Sequence, residues 1–435
     1  MGLRLLTGRG PIHGKITRDK FAAGARGKII LRRQPAVWLP TTPRGWNDPL
    51  NPGSKQPVRH WLESWHVDPS GNRNYDFIDG LRAVAILMVM ACHALYANEN
   101  NDPAKHCLLS FTVQLGEGVF LFFTLSGFLI ALPFWKRKAA GAATLIPGGY
   151  GWRRFWKIYP PLALSILLLT PGYILINGSA REYVQTAAQW LTAAAFLVPV
   201  NNQINPVMWS LVIEIHFYLA LPLLFLLTKP LPARTCLWFI PLVLFAVPLA
   251  IQTTTGVVPT YQPKIGDPLC TGLSCFCFGV AAAGLDVFKV WNRSWSRIGE
   301  AGWGLMLLGL AGQGWASLNP AAHPAMTPHL FHWIFILGTG CLLCYAAAAD
   351  HPHARWLCSP WLRWCGIISY ELYLFHWPAF IWSRLFFGAT NGNIFKYALV
   401  LGAPLVVSFA VAALVYRLFS LPILRYGRAR KSAQK

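Results

Sequence analysis

The stretch FIDGLRAVAILMVMACHAL (77–95) decides the fold, because it is long and apolar enough to cross a bilayer as a helix. It carries Arg82 near one end and His93 eleven residues later. At 100° per residue this spacing is within about 20° of whole turns, so the two side chains share one helix face, roughly 16 Å apart along the axis. Taken alone, Arg82 is explained as a snorkelling interfacial residue and His93 as a packing histidine.

The composition of the 435-residue chain indicates a membrane protein rather than a set of soluble domains. Hydrophobic residues make up 54% of it and charged residues only 12%, while the formal net charge is +22. The positive charges lie in tails and loops, as in cytoplasmic flanks that face anionic lipid, so we expect no nucleic-acid partner. Cys341 and Cys344 have metal-ligand spacing but no second ligand pair nearby, so we also expect no bound metal.

Apolar runs long enough to span a membrane recur along the chain. The candidates lie near 78–97, 116–134, 155–176, 184–200, 208–228, 235–253, 268–288, 301–317, 329–348, 367–387 and 397–420. If 184–200 does not cross, every basic loop lies on the inside, as the positive-inside rule requires. That segment contains Gln185, Thr186 and Gln189, and we interpret it as a re-entrant or interfacial helix on the outer side. The prediction is an all-α, multi-pass bundle of about ten transmembrane helices in the plasma or inner membrane, with both termini cytoplasmic.

The chain divides into three predicted parts. Residues 1–74 are basic and rich in Pro and Gly, which predicts a disordered cytoplasmic tail. This tail packs on lipid headgroups through Trp61 and Trp65, or it includes residues upstream of the true start; the sequence leaves both open. Residues 75–425 form the transmembrane domain, and residues 426–435 form a second basic cytoplasmic tail.

Other ionisable residues also occur inside predicted spans. Glu214 lies in WSLVIEIHFYLALP, while Glu371 and His376 lie in SYELYLFHWP. Such groups cost several kcal/mol in hydrocarbon unless they are paired or wet, so together with Arg82 and His93 they predict a polar pocket. The predicted topology places Glu214 and His93 in the outer half of the membrane, where a carboxylate would orient the imidazole.

The sequence resembles the acyltransferase-3 family of integral membrane acyltransferases. The family's Arg, ten intervening residues and His match Arg82 and His93. Four further blocks match in order: GVFLFFTLSGFLI (118–130), RRFWKIYPPL (153–162), WSLVIEIHFYLALPLL (209–224) and ISYELYLFHWP (368–378). The resemblance runs from about 75 to 425. Phe120 and Ser420 depart from it, because many relatives have Asp and Glu at these positions.

The resemblance implies transfer of an acyl group, most often acetyl, from acetyl-CoA or another acyl-CoA to a hydroxyl of a carbohydrate or lipid-linked acceptor. Its implied catalytic set is His93 as general base, Glu214 as the residue that orients it, and Arg82. The cations expected to hold the phosphates of coenzyme A are Arg82, Arg153, Arg154 and Lys157. The residues expected to contact the acceptor, which binds from outside, are Trp209, Ser210, Tyr218, Ser126 and His376.

Simpler explanations exist for several of these residues, and two other functions compete. Interfacial Trp and Tyr are common belt residues, Ser126 and Ser210 are explained equally by helix–helix hydrogen bonding, and loop cations anchor the topology. A transporter or flippase would also use buried ionisable residues, although we find no internal repeat. A structural membrane subunit would leave the Arg, His and Glu set unexplained. The sequence indicates neither the acceptor nor the oligomeric state.

Overall fold

Helices built from apolar runs make up the fold, because only a helix satisfies its own backbone hydrogen bonds inside lipid. The computed structural model describes residues 56–66, 75–96, 107–178, 180–193, 204–254, 267–290, 293–318, 326–347, 352–388 and 394–432. These residues belong to a unit that covers Leu50–Lys435. Within them we find no β-strand.

Fifteen α-helices occur in the described residues. The first eight are α1 (Gln56–Trp65), α2 (Asp76–Tyr96), α3 (Cys107–Val113), α4 (Gly118–Ala139), α5 (Tyr150–Asn177), α6 (Ala180–Leu191), α7 (Trp209–Leu227) and α8 (Ala233–Thr254). The others are α9 (Asp267–Val287), α10 (Ser296–Leu318), α11 (Met326–Leu342), α12 (Pro360–Ile367), α13 (Ser369–Phe387), α14 (Ile394–Val415) and α15 (Leu421–Ser432). Short 3-10 or π-helical turns lie at Gln114–Glu117, Pro206–Met208, Arg293–Trp295, Leu343–Ala347, Pro352–Cys358 and Tyr416–Ser420.

Seven segments in the described part of the chain are long and apolar enough to cross a membrane. They are Asp76–Ala94, Ser110–Ala139, Tyr150–Asn177, Pro206–Leu227, Ala233–Ile251, His329–Ala346 and Leu399–Gly427. This makes the chain a multi-pass membrane protein. The three other predicted spans correspond to α9, α10 and α13, with 21, 23 and 19 residues. Helix α6, in the segment predicted not to cross, has only 12 residues, or roughly 18 Å.

Several helices pack closely because glycine, which has no side chain, lies at the points where they touch. A Cβ on Gly279 of α9 would lie 2.0 Å from the Thr124 carbonyl oxygen of α4. A Cβ on Gly366 of α12 would lie 1.8 Å from the Asp79 carbonyl oxygen of α2. Apolar side chains from the helices around the site fill the core between them, and Leu81, Phe128, Phe217, Phe276 and Leu372 are fully buried.

The two predicted tails are partly helical. Trp65 of α1 stacks on Tyr416, with ring centroids 6.0 Å apart, and meets Trp364 edge-on at 5.8 Å. Arg417 donates a 2.6 Å hydrogen bond to the Ser64 carbonyl at the end of α1. For Gln56–Trp65, therefore, the expectation of a disordered tail is wrong, because this helix has aromatic and hydrogen-bonding partners in the bundle. Residues 1–55 lie outside the described residues. The predicted boundary at 425 falls inside α15.

Candidate functional site

A cavity lies where α2, α4, α5, α7 and α13 meet. It brings together five of the predicted site residues, which lie on four different helices. These are Arg82, Ser126, Lys157, Ser210 and Glu214. Tyr373 of α13 also lines it, among apolar side chains such as Phe122 and Leu129. The cavity thus places cations, a carboxylate and hydroxyl groups around one shared space.

Glu214 is held by two hydroxyl groups. Its Oε1 accepts a 3.2 Å hydrogen bond from Ser126 Oγ and a short one from the Tyr218 hydroxyl, one turn along α7. Tyr218 is 5% exposed, and its backbone carbonyl accepts a 3.0 Å bond from the Tyr150 hydroxyl. In this structure the buried Tyr218 hydroxyl binds Glu214, and its expected contact with the acceptor stays a prediction.

The predicted cations occupy three different settings. Lys157 lines the cavity and interacts electrostatically with Arg82, Glu214 and the buried Glu371. The Arg154 guanidinium lies over the rings of Tyr150 and Tyr218, 5.9 and 5.5 Å from their centroids. Such cation–π contacts stabilise a cation beside the carboxylate network.

Arg153 occupies the third setting, beside the loop before α5. It donates a 2.7 Å hydrogen bond to the Gly148 carbonyl in the loop before α5, and it is not among the residues that line the cavity. Of the four predicted phosphate-binding cations, Arg82 and Lys157 are therefore the two that line the cavity. Glu214 lines the same cavity as these two cations. Its expected position in the outer half of the membrane stays a prediction.

His93 is paired with another histidine. Its Nδ1 lies 2.7 Å from His376 Nε2, and the two rings are nearly parallel with centroids 5.0 Å apart. Trp377 meets the His93 ring edge-on at 4.9 Å. The expectation that Glu214 orients His93 is wrong, since α13, and not α7, supplies the partner of this imidazole.

His376 has no nitrogen left for a substrate. Its Nδ1 lies 2.9 Å from the Tyr373 carbonyl oxygen and 3.0 Å from that of Leu372, while its Nε2 contacts His93. The side chain is fully buried. The protein engages both His376 nitrogens, which favours a role in holding His93. Its expected contact with the acceptor stays a prediction.

The histidine pair adjoins the cavity through Tyr373. The Tyr373 ring lines the cavity, and its centroid lies 5.8 Å from that of His376. Its hydroxyl is 2.8 Å from Ser210 Oγ and donates a 2.7 Å bond to the Val207 carbonyl. Arg82 and His93 both have neighbours on α13, namely Glu371 and His376. Arg82 lines the cavity, whereas His93 lies beside it.

Comparison with protein families gives one match that covers most of the chain. A family model described as an acyltransferase domain matches residues 75–416. The chain belongs to this acyltransferase family. The resemblance drawn from the five sequence blocks is thereby confirmed.

Several curated proteins are similar to the chain. Acyltransferase MdmB of Streptomyces mycarofaciens is 28% identical over 203 residues, which is 41% of this chain and 49% of the relative. Peptidoglycan O-acetyltransferase OatA of Listeria monocytogenes is 26% identical over 387 residues, or 80% of this chain and 56% of the relative. Nodulation protein 10 of Rhizobium leguminosarum is 25% identical over 36% of this chain and 45% of its own. The chain thus spans about half the length of the curated relatives it matches. No solved structure matches it.

The structure of this acyltransferase-family chain also shows a pair that sequence reasoning missed. Glu117, just before α4, places both carboxylate oxygens 2.9 Å from Nδ1 of His332 on α11. Glu117 is 4% exposed and His332 is 8% exposed. His332 Nε2 is buried without a hydrogen-bond partner in the described part of the chain. An acidic residue directly before a span and a histidine within another are the only sequence signals for this pair.

The departure at Phe120 lies next to that missed pair. The Phe120 ring meets His332 edge-on, with centroids 4.7 Å apart, and lies 6.4 Å from Trp209. Trp209 also meets Phe123 edge-on at 6.3 Å, so it belongs to an aromatic group beside the cavity. Its contact with the acceptor stays a prediction.

Proposed function

We propose that the protein is an integral membrane O-acyltransferase. It moves an acyl group, with acetyl as the first candidate, from cytoplasmic acyl-CoA to a hydroxyl of a carbohydrate or other cell-envelope acceptor. The observation that carries this proposal is the cavity within the acyltransferase domain, where Arg82, Lys157, Ser126, Ser210 and Glu214 converge from four helices. A mere structural subunit has no need for so many polar groups around one apolar-walled space.

The donor is proposed from the charges at the cavity. The phosphates of coenzyme A need fixed cations, and Arg82 and Lys157 line this space while Arg154 lies close by. Glu214 and Glu371 offset part of that positive charge. The cavity therefore suits an anionic donor whose uncharged acyl end extends away from the cations.

In the proposed reaction His93 acts as general base. The acceptor hydroxyl attacks the thioester carbonyl and gives its proton to the imidazole, a new ester C–O bond forms, and the C–S bond breaks. The coenzyme A thiolate leaves and takes up the proton, so atoms and charge balance. His93 fits this role because it is partly exposed and its pair with His376 uses only Nδ1.

The acceptor is proposed from one relative. The protein named peptidoglycan O-acetyltransferase OatA aligns with 80% of this chain. This likeness supports a hydroxyl on a cell-envelope carbohydrate, bound from the outer side near Trp209. Extracts of cells with and without the protein, compared by mass spectrometry of lipids and glycans, would reveal the acceptor as a lost acyl mass.

The membrane arrangement that goes with this function has ten spanning helices and both termini in the cytoplasm. The basic loops support it, because all of them then lie inside. Alkaline phosphatase is active only outside the cytoplasm, which gives a test. Fused after residue 100 or 325 it should be active, and fused at the C-terminus it should be inactive. The reverse pattern would refute this topology.

The function is tested in membranes with radiolabelled acetyl-CoA. Wild-type protein should place label in a lipid-linked or polymeric fraction, and His93→Ala should lower the rate by about 10²–10⁴-fold. His216→Ala is the matched control, because His216 is a histidine of another predicted span and its Nδ1 contacts the Val212 carbonyl of its own helix. Near-normal labelling by His93→Ala, at equal amounts of inserted protein, would contradict the proposal.

A further inference from the structure

The position of one proton on His376 follows from its surroundings. His376 Nδ1 lies within 3.0 Å of two backbone carbonyl oxygens, those of Leu372 and Tyr373. Carbonyl oxygens only accept, so Nδ1 must carry the hydrogen. A neutral imidazole has one N–H, so Nε2 of His376 is left with its lone pair.

The proton on His93 follows in turn. His93 Nδ1 lies 2.7 Å from His376 Nε2, and a hydrogen bond at this distance requires one donor and one acceptor. Since His376 Nε2 is the acceptor, His93 Nδ1 is the donor. The hydrogen bond made by one ring nitrogen sets the state of the other, which leaves Nε2 of His93 unprotonated.

We infer that His376 is the positioning residue of the proposed acyl transfer: it fixes His93 in the tautomer whose Nε2 is free to take the acceptor proton. This rests on the proposed function of His93. His376 holds the base through a hydrogen bond and does not itself contact either substrate. No carboxylate takes part in this pair.

The pair also stabilises the charge that develops during the reaction. When His93 Nε2 takes up the proton, the Nδ1–H bond to His376 becomes charge-assisted, and such bonds are roughly twice as strong as neutral ones. This chain of hydrogen bonds continues from His376 to the Leu372 and Tyr373 carbonyls, whose oxygen atoms carry partial negative charge. Because His376 is fully buried, water does not replace it as the partner of His93.

The surroundings hold the His93 ring in place. The His93 ring lies nearly parallel to that of His376, at an interplanar angle of 17°, and the Trp377 ring meets it edge-on at 81°. A 180° turn about the Cβ–Cγ bond would place Cδ2 where Nδ1 now lies and would break the hydrogen bond to His376. His376 therefore sets the orientation of His93 as well as its protonation.

Two substitutions of His376 separate positioning from packing. In His376→Leu the acceptor for His93 Nδ1–H is lost, and we expect kcat to fall by about 10²-fold or more while KM for acetyl-CoA stays within about twofold. In His376→Gln the amide oxygen reaches the former place of Nε2 and accepts that hydrogen, so much of the lost rate should return. Equal losses of kcat per folded molecule in both variants would overturn the inference.

A matched control comes from His216. Its Nδ1 contacts the Val212 carbonyl four residues earlier at 2.7 Å, which copies the local geometry of His376 without a second imidazole. His216→Leu should therefore leave kcat unchanged. A drop as large as that of His376→Leu would show that the carbonyl contact alone matters and would overturn the inference.

A spectroscopic readout separates this inference from the proposed function. Nitrogen NMR of protein labelled with ¹⁵N-histidine distinguishes protonated from unprotonated ring nitrogens, and the His93 signals are assigned from their loss in His93→Ala. Wild type should show a protonated Nδ1 and an unprotonated Nε2 on His93, and His376→Leu should lose this single tautomer. A protonated Nε2 in wild type refutes the inference even if acyl transfer is found. Absence of acyl transfer refutes the function and leaves the tautomer result standing.

Discussion

Two imidazoles of this protein are each held through Nδ1 by a distant residue, but their partners and their exposure differ. His93 is bound through Nδ1 to His376 at 2.7 Å, and His332 is bound through Nδ1 to the Glu117 carboxylate at 2.9 Å. By chemistry the second pair resembles a catalytic carboxylate–histidine dyad more closely. Solvent exposure favours His93 instead, because His93 is partly exposed. His332 is buried, and its Nε2 lacks a partner in the described region.

The difference shows that the partner of Nδ1 does not by itself identify a base. A general base must reach the proton it removes, so its second nitrogen has to be accessible. The His332 nitrogen is sealed, and its carboxylate partner joins the turn before α4 to α11. We therefore propose proton transfer for the His93 pair and helix packing for the Glu117–His332 pair.

The largest expected effect on stability lies in the Glu117–His332 pair. Glu117→Leu removes a buried hydrogen-bonded carboxylate and leaves His332 without a partner, which costs about 3–5 kcal/mol for pairs of this kind. The apparent midpoint of thermal unfolding in detergent should fall by several degrees. His376→Leu, which breaks the neutral pair, should cost only about 1–3 kcal/mol. A larger loss of stability in His376→Leu than in Glu117→Leu would reverse the assignment.

A smaller effect separates binding at the cavity from chemistry at the histidine pair. Lys157→Gln removes a cation from the cavity wall, and losing a hydrogen bond to a charged phosphate costs about 1.5–3 kcal/mol. The KM for acetyl-CoA should rise about tenfold or more, with a much smaller change in kcat. The control is Lys136→Gln, because Lys136 is exposed at the end of α4. Equal KM values for the two variants would remove Lys157 from the donor site.

The smallest effect concerns the support of Glu214. Tyr218→Phe removes one of the two hydroxyl groups that donate to this carboxylate, and a single hydrogen bond contributes about 1 kcal/mol. Activity should fall roughly three- to tenfold in steady-state assays, far less than in His93→Ala. A loss as deep as that of His93→Ala would mean that Glu214, and not the histidine pair, dominates catalysis.

Much of the helical framework could be predicted from hydropathy alone. The length and ends of a continuous apolar run can be read directly from the sequence. The predicted spans near 116–134 and 155–176 accordingly correspond to α4 and α5. The interfacial placement of 184–200 stays a prediction, because the structure describes this segment only as far as residue 193, just beyond α6. Motif blocks also identified Arg82 and Glu214, which the cavity brings together.

The partners of the two histidines could not be predicted in this way. His93 and His376 are 283 positions apart, and Glu117 and His332 are 215 positions apart. Hydropathy and periodicity give the face of each helix but not its neighbours, because these depend on close contacts such as those at Gly279 and Gly366. The topology argument placed Glu214 and His93 in the same half of the membrane. It could not show that α13, and not α7, supplies the partner of His93.

Chemical rescue tests most directly whether His93, rather than His332, takes the proton. His93→Gly and His332→Gly are compared in membranes with radiolabelled acetyl-CoA, with and without imidazole in the buffer. Turnover of His93→Gly should be lost and should rise at least about tenfold when imidazole is added, whereas His332→Gly should keep most of its turnover per folded molecule and ignore imidazole. Full turnover by His93→Gly, together with loss and imidazole rescue in His332→Gly, would contradict the account.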